Sequence, residues 1–308
     1  MMEETSLSLR AVGDAEIPLF AAITMAALPG VHTDAQEYAK QLARETADRR
    51  AMSILARCGD RAVGRMRLQS FGESATAWGL GLTPEATTQG LAPLLLAALE
   101  RHARGAGVRR LILELDSSTS QDVHGAALAN GYRTRKRRVT MWAAVERRAA
   151  PCDRVLRHPL PGDAAEAQAL AQLMYDAYWN TIDYDGETPD AARDEVRRLY
   201  NDEYGLFLPG CSYVLPGDDG QAGGAALVTR EAEDHAFLAE VMIHPCYRGR
   251  GYARPLIQAA MNACLDAGFP QMGLVVTLGN VPAEGLYRRL GFVEEPGGEQ
   301  HHVEKDLA

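Results

Sequence analysis

Two glycine-bounded stretches of equal length, separated by about half the chain, constrain this fold more than any other feature. Gly90 to Gly107 (GLAPLLLAALERHARGAG) and Gly251 to Gly268 (GYARPLIQAAMNACLDAG) each span 18 residues and carry the apolar spacing of a helix, and both glycine pairs stand 161 residues apart. A further match, Gly131-Tyr132 with Gly291-Phe292, recurs at an interval of 160. We read a tandem duplication whose unit is long enough to be a whole domain, unlike the short repeats of solenoids. At 308 residues the chain has room for two domains of ordinary size, each with its own core. The expected domains are 1–148 and 153–308, joined by the linker Glu146 to Asp153, ERRAAPCD.

The order of elements repeats with the glycines. In the first half, 6–12 reads as a strand, 14–28 and 34–48 as helices, and 51–59, 61–71 and 75–84 as three strands. The helix from Gly90 follows, with Pro93 in its first turn, then a strand at 109–116, a short helix at 120–130 and a basic strand ending at Val145. The second half runs through a strand at 154–160, helices at 163–179 and 189–201, and three strands (CSYVL, GAALVTR and AFLAEVMIH) before its own long helix. Strands outnumber the helices that cross between them, so each sheet is expected to be mixed, within an α/β (α+β) class.

Between the last of those strands and the helix lies VMIHPCYRGRGYA, residues 241 to 253. A strand ending at Ile243 and a helix opening near Gly251 leave the backbone N–H groups from Arg248 to Ala253 without intrahelical partners, at the positive end of a helix dipole. Gly249 and Gly251 have no side chains to hold a pyrophosphate off the backbone, and Arg248 and Arg250 add charge. The stretch reads as an anion cradle suited to a diphosphate; a plain strand-to-helix connector has the same outline.

Two motifs in this half resemble those of the GNAT superfamily of acetyl-CoA-dependent N-acyltransferases. The first is Pro245 followed by Arg248, Gly251 and Ala253, similar to that family's Arg/Gln-x-x-Gly-x-Gly/Ala loop after its fourth strand. The second is Asn280-x-x-Ala283-x-x-Leu286-Tyr287-x-x-Leu290-Gly291-Phe292, similar to the helix and turn after the fifth strand, here LVVTL at 274–278. The resemblance implies two tandem GNAT-like domains, each a mixed, mostly antiparallel twisted sheet flanked by helices. It implies that the backbone from Arg248 through Gly249, Arg250, Gly251 and Tyr252 to Ala253 holds the coenzyme A pyrophosphate. Strand 236–244 would splay from its neighbour and free the backbone of Val241, Met242 and Ile243 for the pantetheine amides, with Asn280 supporting that arm. Tyr287 matches the family's frequent general acid, and a phenol with a reference pKa near 10 is protonated at neutral pH and able to donate to a departing thiolate.

A base is also needed, because an amine acceptor arrives mostly as ammonium. Glu240 is best sited: by strict alternation Glu240, Met242 and His244 share one strand face while Val241 and Ile243 take the other. His235 and Asp234 are alternatives. The stretch 175–190 offers Tyr178, Trp179, Asp183 and Tyr184, with Asp185 and Glu187, as an aromatic and acidic wall for a cationic acceptor; it also fits a helix end followed by a solvated loop. The first half departs from the motif. Thr87 stands in place of Arg248, Thr88 in place of Gly249, and Glu85 adds negative charge; counting back 160 from Tyr287 reaches Ala127. That half is expected to be a degenerate copy.

The remaining sequence excludes several classes. A formal charge of −9 argues against general nucleic-acid binding, which runs on a basic surface. The run Arg133, Arg135, Lys136, Arg137, Arg138 reads as charge protecting an edge strand. No apolar run is long enough to span a bilayer and the N-terminus lacks an apolar signal core, so a cytoplasmic location without membrane contact is expected. Five scattered cysteines form no CxxC or Cys/His cluster, and His301-His302 has no partners at ligand spacing; reduced thiols and no metal are expected. The chain is thus read as an acetyltransferase using acetyl-CoA on a small-molecule primary amine by direct attack in a ternary complex, with its active site in the second half. A non-catalytic acyl-CoA-binding scaffold is the alternative class. The resemblance also extends to tandem members such as mycothiol synthase. Monomer and homodimer are both compatible with the sequence.

Overall fold

Side-chain caps and apolar runs lay out the elements. The computed structural model describes residues 6–27, 35–46, 52–116, 121–218, 220–231 and 233–307. Its order is β1 (Ser8–Ala11), α1 (Ile17–Ala27), α2 (Ala35–Thr46), β2 (Met52–Cys58), β3 (Arg61–Phe71), β4 (Ser74–Leu82), α3 (Pro84–Thr88), α4 (Ala92–Gly105), β5 (Arg110–Asp116), α5 (Gln121–Ala129) and β6 (Arg133–Ala144). Then come α6 (Ala164–Tyr178), α7 (Pro189–Tyr200), β7 (Leu206–Phe207), β8 (Tyr213–Pro216), β9 (Ala222–Arg230), β10 (His235–Ile243), α8 (Ala253–Asp266), β11 (Gln271–Thr277), α9 (Val281–Leu290) and β12 (Val293–Asp306). The expected element ends at 28, 34, 47–48, 51 and 120 lie outside the described residues.

The chain divides into two compact units, Met1–Arg138 with Pro296–Ala308, and Val139–Glu295. In the first, β1 through β4 pair as successive antiparallel neighbours, β5 lies parallel to β4, and β12 is antiparallel to β5, with Val303 opposite Leu113. Its core gathers Leu95, Leu96 and Leu99 of α4 over Leu111 and Leu113, closed by Val303 and Leu307 from the chain's far end. In the second, β10 is antiparallel to β9 and parallel to β11, and both β7 and β8 pair with β9. Both sheets are mixed. β9 is buried along eight of its nine residues, so it reads as a continuous apolar run rather than an alternating one. One face packs under α8 through Leu256, Ile257 and Ala260; the other packs under α6 and α7 through Leu170, Met174 and Val196.

Local chemistry starts and stops the second unit's helices. Asp163 caps α6 by accepting from the amides of Ala165 and Glu166, at 2.8 and 3.0 Å. Thr188 caps α7 ahead of Pro189, and Asn280 caps α9, which ends at Gly291 with φ 99°.

Four sequence expectations meet a different structure. A division at the linker would give each unit one unbroken segment, whereas residues from Pro296 onward belong with the first unit and Val139–Val145 with the core of the second. Residues 154–160 make only an isolated bridge, Arg157 with Val214, since Pro159 and Pro161 interrupt the ladder. The segment after β4, which matches the motif loop of the second half in sequence position, is instead helical over Pro84–Thr88, because Thr83 caps it and Pro84 occupies its first turn. The basic run of β6 is not an unpaired edge: in the first unit Arg137 meets Glu299 at 3.0 Å, and Arg133 meets Asp306 at 3.4 Å.

Buried His302 adds a pH dependence to the first unit. Burial, reinforced by Arg138, Lys136, Arg135 and His301, pushes its imidazolium down from the usual 6.5 to about 3, and the half-exposed Glu114 carboxylate 3.6 Å from Nδ1 does not offset this. Between these values the unfolded chain binds a proton that the folded chain does not. The contribution to stability is therefore full above pH 6.5 and is lost as pH falls toward about 3. His302→Asn should flatten the acid limb of Tm against pH; an unchanged limb would remove His302 from the acid response.

Candidate active site

A bulge in β10 aims the site. β10 pairs with β9 as Leu238 with Val228 and then Glu240 with Leu227, leaving Ala239 as an extra residue. Ahead of it, Ala236 and Leu238 face α8; beyond it, Val241 and Ile243 take that side while Glu240 and Met242 turn to α6 and α7. Strict alternation through the whole strand fails at Ala239. Without the extra residue Glu240 would point under α8. His244 lies past the strand, where Nδ1 accepts from the amide of Cys246 at 3.3 Å and Nε2 lies 3.7 Å from Asp176.

β10 and β11 also part. They pair only from His235 with Gln271 to Phe237 with Gly273, although β11 continues to Thr277. The backbone of Val241, Met242 and Ile243 keeps its ladder with β9 and faces the gap on its other side.

Five sequence-nominated side chains converge at this gap. The Tyr178 hydroxyl donates to Glu240 Oε2 at 2.5 Å. Asp183 accepts from Thr277 Oγ1 at 2.5 Å and from Asn280 Nδ2 at 3.1 Å. Tyr287 is 9% exposed, and its hydroxyl has no hydrogen-bond partner among the described residues. Burial first, then the charges of Asp183 and Glu240, hold its phenol protonated well above the ordinary range. Tyr178 is raised by burial first and by Glu240 second. Asn280 is committed to capping α9 and holding Asp183. Trp179 stands apart, 52% exposed, between the rings of Tyr175 and Tyr184, and the Tyr184 hydroxyl donates to the Glu187 carbonyl.

The turn after β10 has the form of a cradle. The amide of Arg248 donates to the Pro245 carbonyl, and that of Leu256 to Tyr252 as α8 begins. Between them, the amides of Gly249, Arg250, Gly251 and Tyr252 have no acceptor among the described residues, and α8 has no side-chain cap. Gly249 and Gly251 have φ of 73° and 83°, the left-handed region, and a Cβ at either would meet nothing within 4 Å. These open amides at a helix N-terminus fit a diphosphate. The Arg248 guanidinium turns away from them, donating to the carbonyls of Ile243 and Ala177, while Arg250 lies over the Tyr247 ring.

The matching segment of the first unit spends its amides internally. Those of Gln89, Gly90 and Leu91 donate back to Glu85, Thr87 and Ala86, so α3 consumes the donors that the second unit leaves open. Buried Arg65 donates to the Gly79 carbonyl, the position 161 residues before Glu240.

A cavity of about 290 Å³ adjoins Glu240 and is lined by Glu195, Leu199, Tyr204, Glu231, Phe237 and Ala239. Sequence reasoning missed Glu195, Tyr204 and Glu231. Glu195 precedes Leu199 by four residues on α7, which places it on the packed face, a legible signal. Among the described residues, no group of three or more His, Cys, Asp or Glu is placed to hold a metal ion, and no helix is long and apolar enough to cross a membrane.

The acetyltransferase (GNAT) family matches at residues 18–132 and 172–292, one match in each half, and the chain belongs to that family. It is a tandem member. Over 231 residues it is 25% identical to mycothiol acetyltransferase of Corynebacterium glutamicum, covering 70% of this chain and 74% of that protein. It is 34% identical over 82 residues to streptothricin acetyltransferase of Streptomyces lavendulae, covering 26% of this chain and 43% of that one. The chain spans 60% and 43% of the lengths of two of the curated relatives it matches. In fold it is similar to a tandem GNAT protein from the clavulanic acid biosynthesis pathway, with TM-score 0.69, 16% identity, and 98% and 99% of the two chains covered.

Proposed function

We propose that the second unit transfers an acetyl group from acetyl-CoA to a primary amine of a small molecule by direct attack in a ternary complex. The observation that carries this reading is the meeting of Glu240 and the unpartnered Tyr287 hydroxyl at the β10–β11 gap, one turn from the open amides of Gly249 to Tyr252. Those amides would hold the pyrophosphate, and the backbone of Val241 to Ile243 the pantetheine amides. When bound, the coenzyme supplies the activated acyl thioester. Glu240, steadied by Tyr178, accepts the proton that an ammonium sheds before attack. Tyr287 keeps its proton at Oη until a leaving sulfur needs it. Asn280 and Thr277 pin Asp183 beneath the site, and the first unit, its cradle closed by α3, supports rather than performs the chemistry.

The test is an amine library offered with acetyl-CoA, reading free thiol. Release with at least one amine is expected; coenzyme binding without release across the library would favour an acyl-CoA-binding scaffold. A mycothiol-type precursor belongs in the library as a second candidate acceptor, on the match to mycothiol acetyltransferase over 70% of this chain.

A further inference from the structure

The cavity beside Glu240 carries an inference about the acceptor that rests on the acyltransfer reading. Leu199, Phe237 and Ala239 give it an apolar floor, while Glu195, Glu231 and Glu240 line it with three carboxyl groups. These carboxylates are not equivalent. Glu195 accepts from the Tyr204 hydroxyl at 2.9 Å and lies 3.6 Å from Arg198, so its charge is largely answered within the protein. Glu240 is engaged by Tyr178. Glu231, at the end of β9, has no ion pair or side-chain hydrogen bond among the described residues; of its surroundings, His235 favours its charge and Glu295 opposes it.

At one end stands Glu240, whose charge the neighbouring Tyr287 phenol feels; Tyr287 is 9% exposed and its hydroxyl has no hydrogen-bond partner among the described residues. At the other end stands Glu231. Glu240 sits opposite Leu227, and four residues of β9 from Leu227 to Glu231 cover about 13 Å at roughly 3.3 Å per residue. The two carboxylates are thus held apart by strand geometry with an apolar surface between them.

We infer that the acceptor carries two cationic nitrogens joined by an apolar stem, a linear diamine in chemical class, with the reacting nitrogen at Glu240 and the second ammonium at Glu231. The stem lies over Leu199, Phe237 and Ala239. A lone amine fills only the Glu240 end and leaves Glu231 unmatched, so the site selects for the second charge and for its distance. Burial already raises the Glu231 carboxyl, a cost that an ammonium partner removes.

The experiment compares initial rates of the full chain with acetyl-CoA and a homologous series of linear α,ω-diamines, each paired with the monoamine of equal length. One diamine length should exceed its monoamine partner in kcat/KM by about tenfold or more, chiefly through KM. Glu231→Gln should bring that ratio down toward one, and Glu231→Asp should retain part of it. Turnover of monoamines as readily as diamines, or a ratio unchanged in Glu231→Gln, would overturn this inference and leave the acyltransfer reading standing. Coenzyme binding with no transfer to any amine would overturn both.

Discussion

Gly251→Glu should abolish acetyl-CoA binding while leaving the fold in place. The position has φ 83° and open space around a Cβ, so the backbone cost of a side chain is about 1–2 kcal/mol, tolerable for a domain. The loss in affinity has a different source. A carboxylate placed among the open amides from Gly249 to Tyr252 competes for the donors and repels a diphosphate, and a weakening of at least about 100-fold, roughly 2.7 kcal/mol, is expected. Calorimetry on the variant, with a thermal melt as the folding control, decides the matter; undiminished affinity would sink the cradle assignment. Gly90→Glu is the internal comparison. Because α3 consumes the corresponding amides, that variant should bind acetyl-CoA like the parent.

Tyr287→Phe should lower kcat by about 100-fold or more, the usual contribution of a positioned general acid, which corresponds to about 2.7 kcal/mol of barrier. Coenzyme affinity should change little, since the cradle is built from backbone elsewhere. The ring itself packs against Phe292 with centroids 5.9 Å apart, and phenylalanine preserves that contact. Its raised proton affinity also has a sign: deprotonation of the phenol is displaced to higher pH, so no alkaline fall in kcat from this group is expected below its ordinary range near 10. Wild-type kinetics in the variant, on an acceptor already identified, would remove Tyr287 from the mechanism.

The sequence made the duplication, the element order and the cradle legible because each is written in local spacing: glycine pairs, apolar periods, a proline and arginines after a strand. It failed where one local preference has two outcomes. Thr83-Pro84-Glu85 is a good helix start, yet alignment to the second half suggested a loop there. The extra residue at Ala239 has no signature in periodicity, since Leu238-Ala239-Glu240-Val241 reads equally well as unbroken alternation. The contact between Tyr178 and Glu240 joins residues 62 apart, so both were nominated and their pairing was invisible. Glu195 and Glu231 were missed for the same reason: α7 and the end of β9 become neighbours only through packing.

The traded ends of the two units impose an order on synthesis. Val303 and Leu307 complete the first unit's core but are synthesised after the whole of the second unit, which needs nothing beyond Glu295. Against the usual rule that N-terminal domains fold first, the first unit of this chain is expected to finish last. The copy with the open cradle can close while its predecessor is still waiting for its final strand, and a chain cut short before Val303 would cost the first unit its core closure before it touched the half proposed to do the chemistry.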